Sequence, residues 1–336
     1  MTDRSTLSPE LNQLLQTALP SDQRQSLRTS VLPALLTSIA DIADTLRRSQ
    51  HVSLAGTANA FGDDQLNVDV ATENVLRAAL SSCPSVVTAS SEEEPIEKAV
   101  DHVNASAETL DSAEKYTVAF DPLDGSSIIA PNWTVGTIVG IWDGESALYQ
   151  DPKQKQIVSI LGVLGPRTTA TIALRVGGSA PLCFEVGYGD QGSSTWEVIR
   201  PKVKLDAAPY KARYFAPANL RSAGEDPKYM SLISYYIENR YNLRYCGGLV
   251  PDIVHALVKG HGVYVNPVTR TSKAKLRRLY ELFPIALIME CAGGKAVDPA
   301  NGEDLLARPL QNCDERAGLV CGTAEEVDIV KHKLLD

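Results

Sequence analysis

The chain has 336 residues, 44% of them hydrophobic, enough for two domains or one large two-part fold with a substantial core. Its 32 basic and 41 acidic residues give a net charge of −9, and no block of Lys and Arg has the size of a nucleic-acid footprint. The longest apolar runs, such as Ile285-Ala286-Leu287-Ile288-Met289, are far too short to span a bilayer, and the N-terminal stretch carries Asp3, Glu10 and Asp22 instead of an apolar signal core, so a cytoplasmic protein is expected.

In chain order, apolar residues at Leu32, Leu35, Leu36, Ile39 and Ile42 predict a first long helix over Leu27 to Leu46. A glycine-containing loop, Ala55 to Asn67, precedes a helix from Ala71 to Leu80, with Asp69 standing just before it. A strand near Val86 follows, then a helix or loop from Ile96 to Leu110 and a strand over Tyr116 to Phe120 that Pro122 should end. Thr134 to Trp142, Ile157 to Leu164, Thr171 to Val176 and Leu182 to Val186 read as successive strands of one sheet. The Pro-containing stretch Leu205 to Ala218 marks a boundary, giving domains 1–207 and 208–336. Beyond it the pattern is helix Lys228 to Asn239, a strand near Leu243, helix Pro251 to Lys259, strand Gly262 to Val265, helix Leu276 to Gly293, a strand near Leu319 and helix Glu325 to Leu335.

The chemistry concentrates in Asp121-Pro122-Leu123-Asp124-Gly125-Ser126-Ser127. Two carboxylates three residues apart suit hard cations, and the small residues after them offer N–H and O–H donors to an oxyanion. Asp-Pro and Asp-Gly also make ordinary surface turns. Glu92 and Glu93 belong to an acidic triplet at the end of the Val86 strand, a pattern that serves either as a solvated charge run or as bridging metal ligands. Asp69 reads as a helix cap, as a residue that positions water, or as both.

These residues resemble the metal-binding signature of the fructose-1,6-bisphosphatase and inositol monophosphatase superfamily. Asn219-Leu220-Arg221, the run Asn242 to Asp252 and the run Ser272 to Glu281 extend the resemblance to its sugar-bisphosphatase branch, from about Leu27 to about Lys333. Within that branch, Pro217 to Arg221, Gly247-Gly248-Leu249-Val250-Pro251-Asp252, and Asn266 where fructose enzymes usually place a phosphate-binding tyrosine are closer to the sedoheptulose-1,7-bisphosphatase subfamily. The choice between six and seven carbons stays open at this point, with a fructose-1,6-bisphosphatase, a dual-specificity enzyme or a non-catalytic metabolite-binding homologue as the alternatives.

The resemblance implies an α/β, layered α/β/α/β/α sugar-phosphatase fold with metals in the cleft between its halves. It implies Mg²⁺, two or three ions per site with Mn²⁺ able to substitute, held by Glu92, Glu93, Asp121, Asp124, Glu281 and the Leu123 carbonyl. Asp69 and Glu93 would be the catalytic residues, Asp69 positioning or deprotonating the attacking water. Gly125, Ser126 and Ser127 would hold the phosphate that leaves. Asn219, Arg244, Tyr245 and Lys275 would hold the remote phosphate and the sugar, with Arg244 reaching across from a neighbouring subunit of a homodimer or higher homo-oligomer. Without the resemblance, Glu281 reads as a surface carboxylate of an amphipathic helix at a core edge. The partner is a small sugar bisphosphate, with neither nucleic acid nor membrane.

The five histidines never cluster, so zinc is not expected. The six cysteines are scattered without a CxxC pair, and Val52 to Ala60 contains none of the paired cysteines that plastid sedoheptulose bisphosphatases of plants carry there, so thiol activation of that type is not expected.

Overall fold

The computed structural model describes residues 6–20, 24–58, 64–102, 114–270 and 272–335. A nine-stranded sheet runs in the spatial order Thr6–Leu7, Thr195–Arg200, Leu182–Tyr188, Thr168–Leu174, Gln156–Leu164, Val135–Asp143, Tyr116–Asp124, Val86–Ser91 and Lys98–Ala99. Its central pairs are antiparallel, whereas Val86–Ser91 lies parallel to Tyr116–Asp124. A second sheet of five strands takes the order Asn242–Leu243, Tyr214–Pro217, Val263–Asn266, Leu319–Gly322 and Lys295–Val297.

Strand periodicity builds the layers. Along neighbouring strands Val139 and Ile160 point to one face with Phe120, where helices Leu32–Arg48 and Asn67–Leu80 cover them with Leu35, Ile39 and Leu76. Ile138, Trp142 and Leu161 point to the other face and meet helices Leu249–Lys259 and Phe283–Cys291. That middle helical layer also packs on the second sheet through Ala216, Tyr264 and Leu319, which is why Phe283–Cys291 is apolar all round. Helices Pro227–Glu238 and Ala324–Leu335 close the far side over Phe215, Val263, Val265 and Val320. The α/β/α/β/α order of layers agrees with the expectation.

Several local expectations need correction. Pro122 does not end its strand: pairing with Val135–Asp143 resumes at Asp124 opposite Gly136 after a register shift, because a bulge tolerates the missing N–H. The helix expected from Ala71 begins at Asn67, so Asp69 lies inside its first turn, where its carboxylate accepts the Leu66 N–H at 2.8 Å. The loop Ala55 to Asn67 contains paired strands Leu54–Ala58 and Asp64–Leu66. Its Phe61 to Asp63 part and residues 103–110 lie outside the described residues. Leu276 to Gly293 is not one helix, but a short strand Leu276–Arg277, a π-helical turn Arg278–Leu282 and the helix Phe283–Cys291. Helix Pro9–Ala18 and strands Thr195–Arg200 and Lys295–Val297 are among the elements outside the expectation, and strand Tyr214–Pro217 lies within the stretch read as a domain boundary. Among the described residues no helix is long and apolar enough to cross a membrane.

Candidate active site

The parallel pairing of Val86–Ser91 with Tyr116–Asp124 sets Ser91 opposite Phe120, and the Glu92 N–H donates to the Phe120 carbonyl at 3.0 Å. Glu92 and Glu93 therefore leave one strand beside the point where Asp121 and Asp124 occupy the next. The π-helical turn adds Glu281, whose carboxylate accepts the Arg277 N–H at 2.5 Å. Such turns interrupt a helix where a side chain must be re-aimed. Asp121, Asp124 and Glu281 are buried. Burial is the first cause that lifts the Asp121 carboxyl well above its usual range, followed by the charges of Glu92, Asp124 and Glu281. Glu281 is raised likewise, by burial and then by Glu92. Glu93 is pushed up to about 7, again mainly by burial and against a hydrogen bond from Gln65.

The leaving-phosphate residues follow at once. Gly125 has φ +96°, a left-handed conformation that favours glycine, and it turns the chain into the short helix Ser126–Ile129. The Ser126 hydroxyl lies 2.9 Å from Asp69 Oδ1 and 3.1 Å from the Leu123 carbonyl oxygen, so it ties Asp69 to the Asp121–Asp124 strand. Ser127 is exposed. Burial also raises the Asp69 carboxyl, opposed by its bonds from Leu66 and Ser126.

On the second sheet, Asn219 adopts a left-handed conformation just after strand Tyr214–Pro217. Its amide reaches Ser222 Oγ at 2.7 Å and Ser272, and its backbone N–H faces the Tyr245 hydroxyl. Lys275 is exposed three residues beyond Ser272. Asn266 closes strand Val263–Asn266 at the same strand end, since the Ala218 N–H donates to the Val265 carbonyl at 2.8 Å. Asn219, Tyr245 and the segment leading to Lys275 are thus brought together. Arg244 is not: its guanidinium bonds its own chain's Leu243 carbonyl at 2.7 Å and lies over the Tyr214 ring.

The carboxylates are hard oxygen donors in a buried cluster whose mutual repulsion a cation would relieve, so the donor set fits divalent metal. Among the described residues no group of three or more His, Cys, Asp or Glu side chains is already arranged to hold an ion. Each carboxylate is instead engaged by protein donors: Glu92 by Arg277, Glu93 by Gln65, Asp124 by the Leu249 and Val250 N–H groups. Arg277 was missed as a site residue. The basic run Lys273 to Arg278 divides: Arg277 is buried against Glu92 and Asp314, and Arg278 is buried beside Asp298, leaving Lys273 and Lys275 outward. Only its place four residues before Glu281 gave a signal.

Comparison with known proteins bears on the whole chain. Residues 12–189 match the N-terminal domain of fructose-1,6-bisphosphatase and residues 208–334 match its C-terminal domain. The chain is 37% identical over 302 residues to the chloroplastic sedoheptulose-1,7-bisphosphatase of Chlamydomonas reinhardtii, covering 88% of this chain and 72% of that one. It is 34% identical over 289 residues to the class 1 fructose-1,6-bisphosphatase of Syntrophotalea carbinolica, covering 84% and 82%. A Toxoplasma gondii structure provisionally assigned as a sedoheptulose-1,7-bisphosphatase superposes with a TM-score of 0.82 at 34% identity, covering 96% of this chain and 98% of that one. The fructose-1,6-bisphosphatase of Leishmania major in its holo form gives 0.80 at 26% identity, covering 95% and 98%. Matched along nearly its whole length, the chain belongs to the fructose-1,6-bisphosphatase family and is a phosphoric monoester hydrolase acting on sugar bisphosphates.

Proposed function

We propose that the chain hydrolyses the 1-phosphate of sedoheptulose 1,7-bisphosphate, giving sedoheptulose 7-phosphate and phosphate. Asn266 carries this reading. It stands at the strand end beside Asn219, and its short amide leaves more room there than a tyrosine would, which suits a longer sugar. The identity to the sedoheptulose enzymes supports the same choice. Dual specificity is the second reading, favoured by the similar identity to a class 1 fructose-1,6-bisphosphatase.

The first domain, residues 1–207, would hold the reacting phosphate, and the second, 208–336, the remote one together with Glu281. Glu92, Glu93, Asp121, Asp124, Glu281 and the Leu123 carbonyl would hold two or three Mg²⁺ ions. When bound, these supply charge neutralisation of the phosphoryl oxygens and a water of lowered pKa. Gly125, Ser126 and Ser127 would orient the departing phosphate through their N–H and O–H groups. Glu93, raised to about 7, is placed to exchange a proton near neutral pH, and Asp69, held by Ser126 and Leu66, to accept one from the attacking water. Asn219, Tyr245 and Lys275 would bind the remote phosphate, with Arg244 supplied by a neighbouring subunit. Arg244 faces away from its own cluster, just past the edge strand Asn242–Leu243, and its neighbours Leu243 and Tyr245 are 52% and 45% exposed, which suits a homodimer.

One preparation assayed on both bisphosphates tests the substrate. Sedoheptulose 1,7-bisphosphate should show the higher kcat/KM, by roughly ten- to a hundredfold if Asn266 sets the pocket length. A higher value for fructose 1,6-bisphosphate would overturn the proposal and leave the family's general activity intact.

A further inference from the structure

The segment that joins the two phosphate sites is held by two buried carboxylates, and one of them, Asp252, has no part in the chemistry proposed above. Asp252 lies in the first turn of helix Leu249–Lys259 and is 6% exposed. Its Oδ1 accepts the Cys246 N–H at 2.7 Å and its Oδ2 the Gly247 N–H at 3.0 Å. The next two free N–H groups of the same segment, those of Leu249 and Val250, donate to Asp124 at 3.2 and 2.7 Å. Four N–H groups between residues 246 and 250 are thus shared by two carboxylates, one at the reacting end and one immediately after Arg244 and Tyr245.

Gly247 has φ +96°, and a Cβ at Gly248 would come within 2.8 Å of Pro251 Cγ, so both positions require glycine and neither has a side chain to pack. Beyond them, the helix start is pressed on the large sheet, where a Cβ at Gly136 would overlap Val250. Arg244 is held from its other side, its N–H donating to the Phe215 carbonyl at 2.9 Å, so what remains to be fixed is the turn from Tyr245 into this rigid helix start, at residues 246 and 247, where Asp252 accepts both N–H groups.

We propose that Asp252 is a positioning residue that sets the turn after Arg244 and Tyr245, so that Tyr245 meets the remote phosphate of its own chain, in register with Asp124 at the reacting phosphate, while Arg244 is presented to that of the neighbouring subunit. This rests on the reading of Arg244 and Tyr245 as the remote-phosphate clamp. An acidic residue in a helix's first turn also stabilises the helix electrostatically. That role alone would affect every substrate equally, which separates the two.

The test replaces Asp252→Asn, which keeps the shape but turns one acceptor into a donor facing an N–H. KM for the bisphosphate should rise about tenfold relative to KM for the corresponding sugar 1-phosphate, with kcat falling by a smaller factor. Should the Asn variant not fold, Asp252→Glu keeps the charge while displacing the oxygens, and a smaller selective rise in the same ratio is expected. Equal changes for the two substrates, or none, would overturn the inference. Arg244→Ala measured alongside keeps the outcomes apart: if it shifts the KM ratio and Asp252→Asn does not, the positioning role alone fails, whereas if neither does, the clamp reading fails and takes this inference with it.

Discussion

Asp121→Asn and Asp124→Asn are each expected to lower Mg²⁺-dependent kcat by about two orders of magnitude or more, because each removes a full negative charge from a multi-cation site. The same substitutions should raise the thermal stability of the metal-free protein. Asp121 and Glu281 are held well above the ordinary carboxylate range by burial and by neighbouring carboxylates, and Glu93 is raised to about 7. A carboxyl whose pKa is raised in the folded state favours the fold while protonated. That contribution is complete below the unfolded value of about 4 and is lost as pH rises through the folded value. The metal-free Tm should therefore fall between about pH 5 and 8, saturating Mg²⁺ should offset the fall, and either Asn variant should flatten it. A kcat within threefold of the parent, or a metal-free Tm that climbs over that interval, would contradict the assignment of these carboxylates.

Arg244→Ala should raise KM for the bisphosphate by about ten- to a hundredfold, the loss of a charge-assisted hydrogen bond, while kcat changes less. A phosphate far from the bond being broken contributes binding shared by ground and transition states. Because Arg244 turns toward Leu243 and Tyr214 on its own chain, the effect should appear only through a neighbouring subunit. Mixing Arg244→Ala chains with chains inactivated at Asp121 should then yield partial activity with normal KM in the mixed oligomer. Equal KM for variant and parent would mark Arg244 as an ordinary surface arginine. Equal damage on a sugar 1-phosphate would assign it to the fold or the interface.

The layers were legible because each follows from local periodicity: alternation in Val135–Asp143 and Gln156–Leu164, and helical spacing in Leu32–Arg48. Helix Pro9–Ala18 also carries a local signal, with Ser8 as a side-chain cap and Pro9 in the first turn. What escaped the sequence depends on partners distant in the chain. Pro122 looks like a strand end until a bulge against Gly136 absorbs it, and Glu281 looks amphipathic until a π-helical turn sets it among carboxylates from two strands. Arg277 looks like part of a surface basic run until Glu92, from far upstream, pairs with it. Asp252 stands in the sequence only as the last residue of the Gly247 to Asp252 motif, because the two backbone N–H groups it accepts leave no mark in side-chain pattern.

Phosphate release from sedoheptulose 1,7-bisphosphate, with Mg²⁺ titrated in and then withdrawn by EDTA, tests the central claim most directly. One equivalent of phosphate per substrate should appear, leaving the sugar 7-phosphate, with release abolished by the chelator and restored by excess Mg²⁺. Absence of release at saturating Mg²⁺, or release that the chelator leaves untouched, would contradict a metal-dependent sugar bisphosphatase built on these carboxylates.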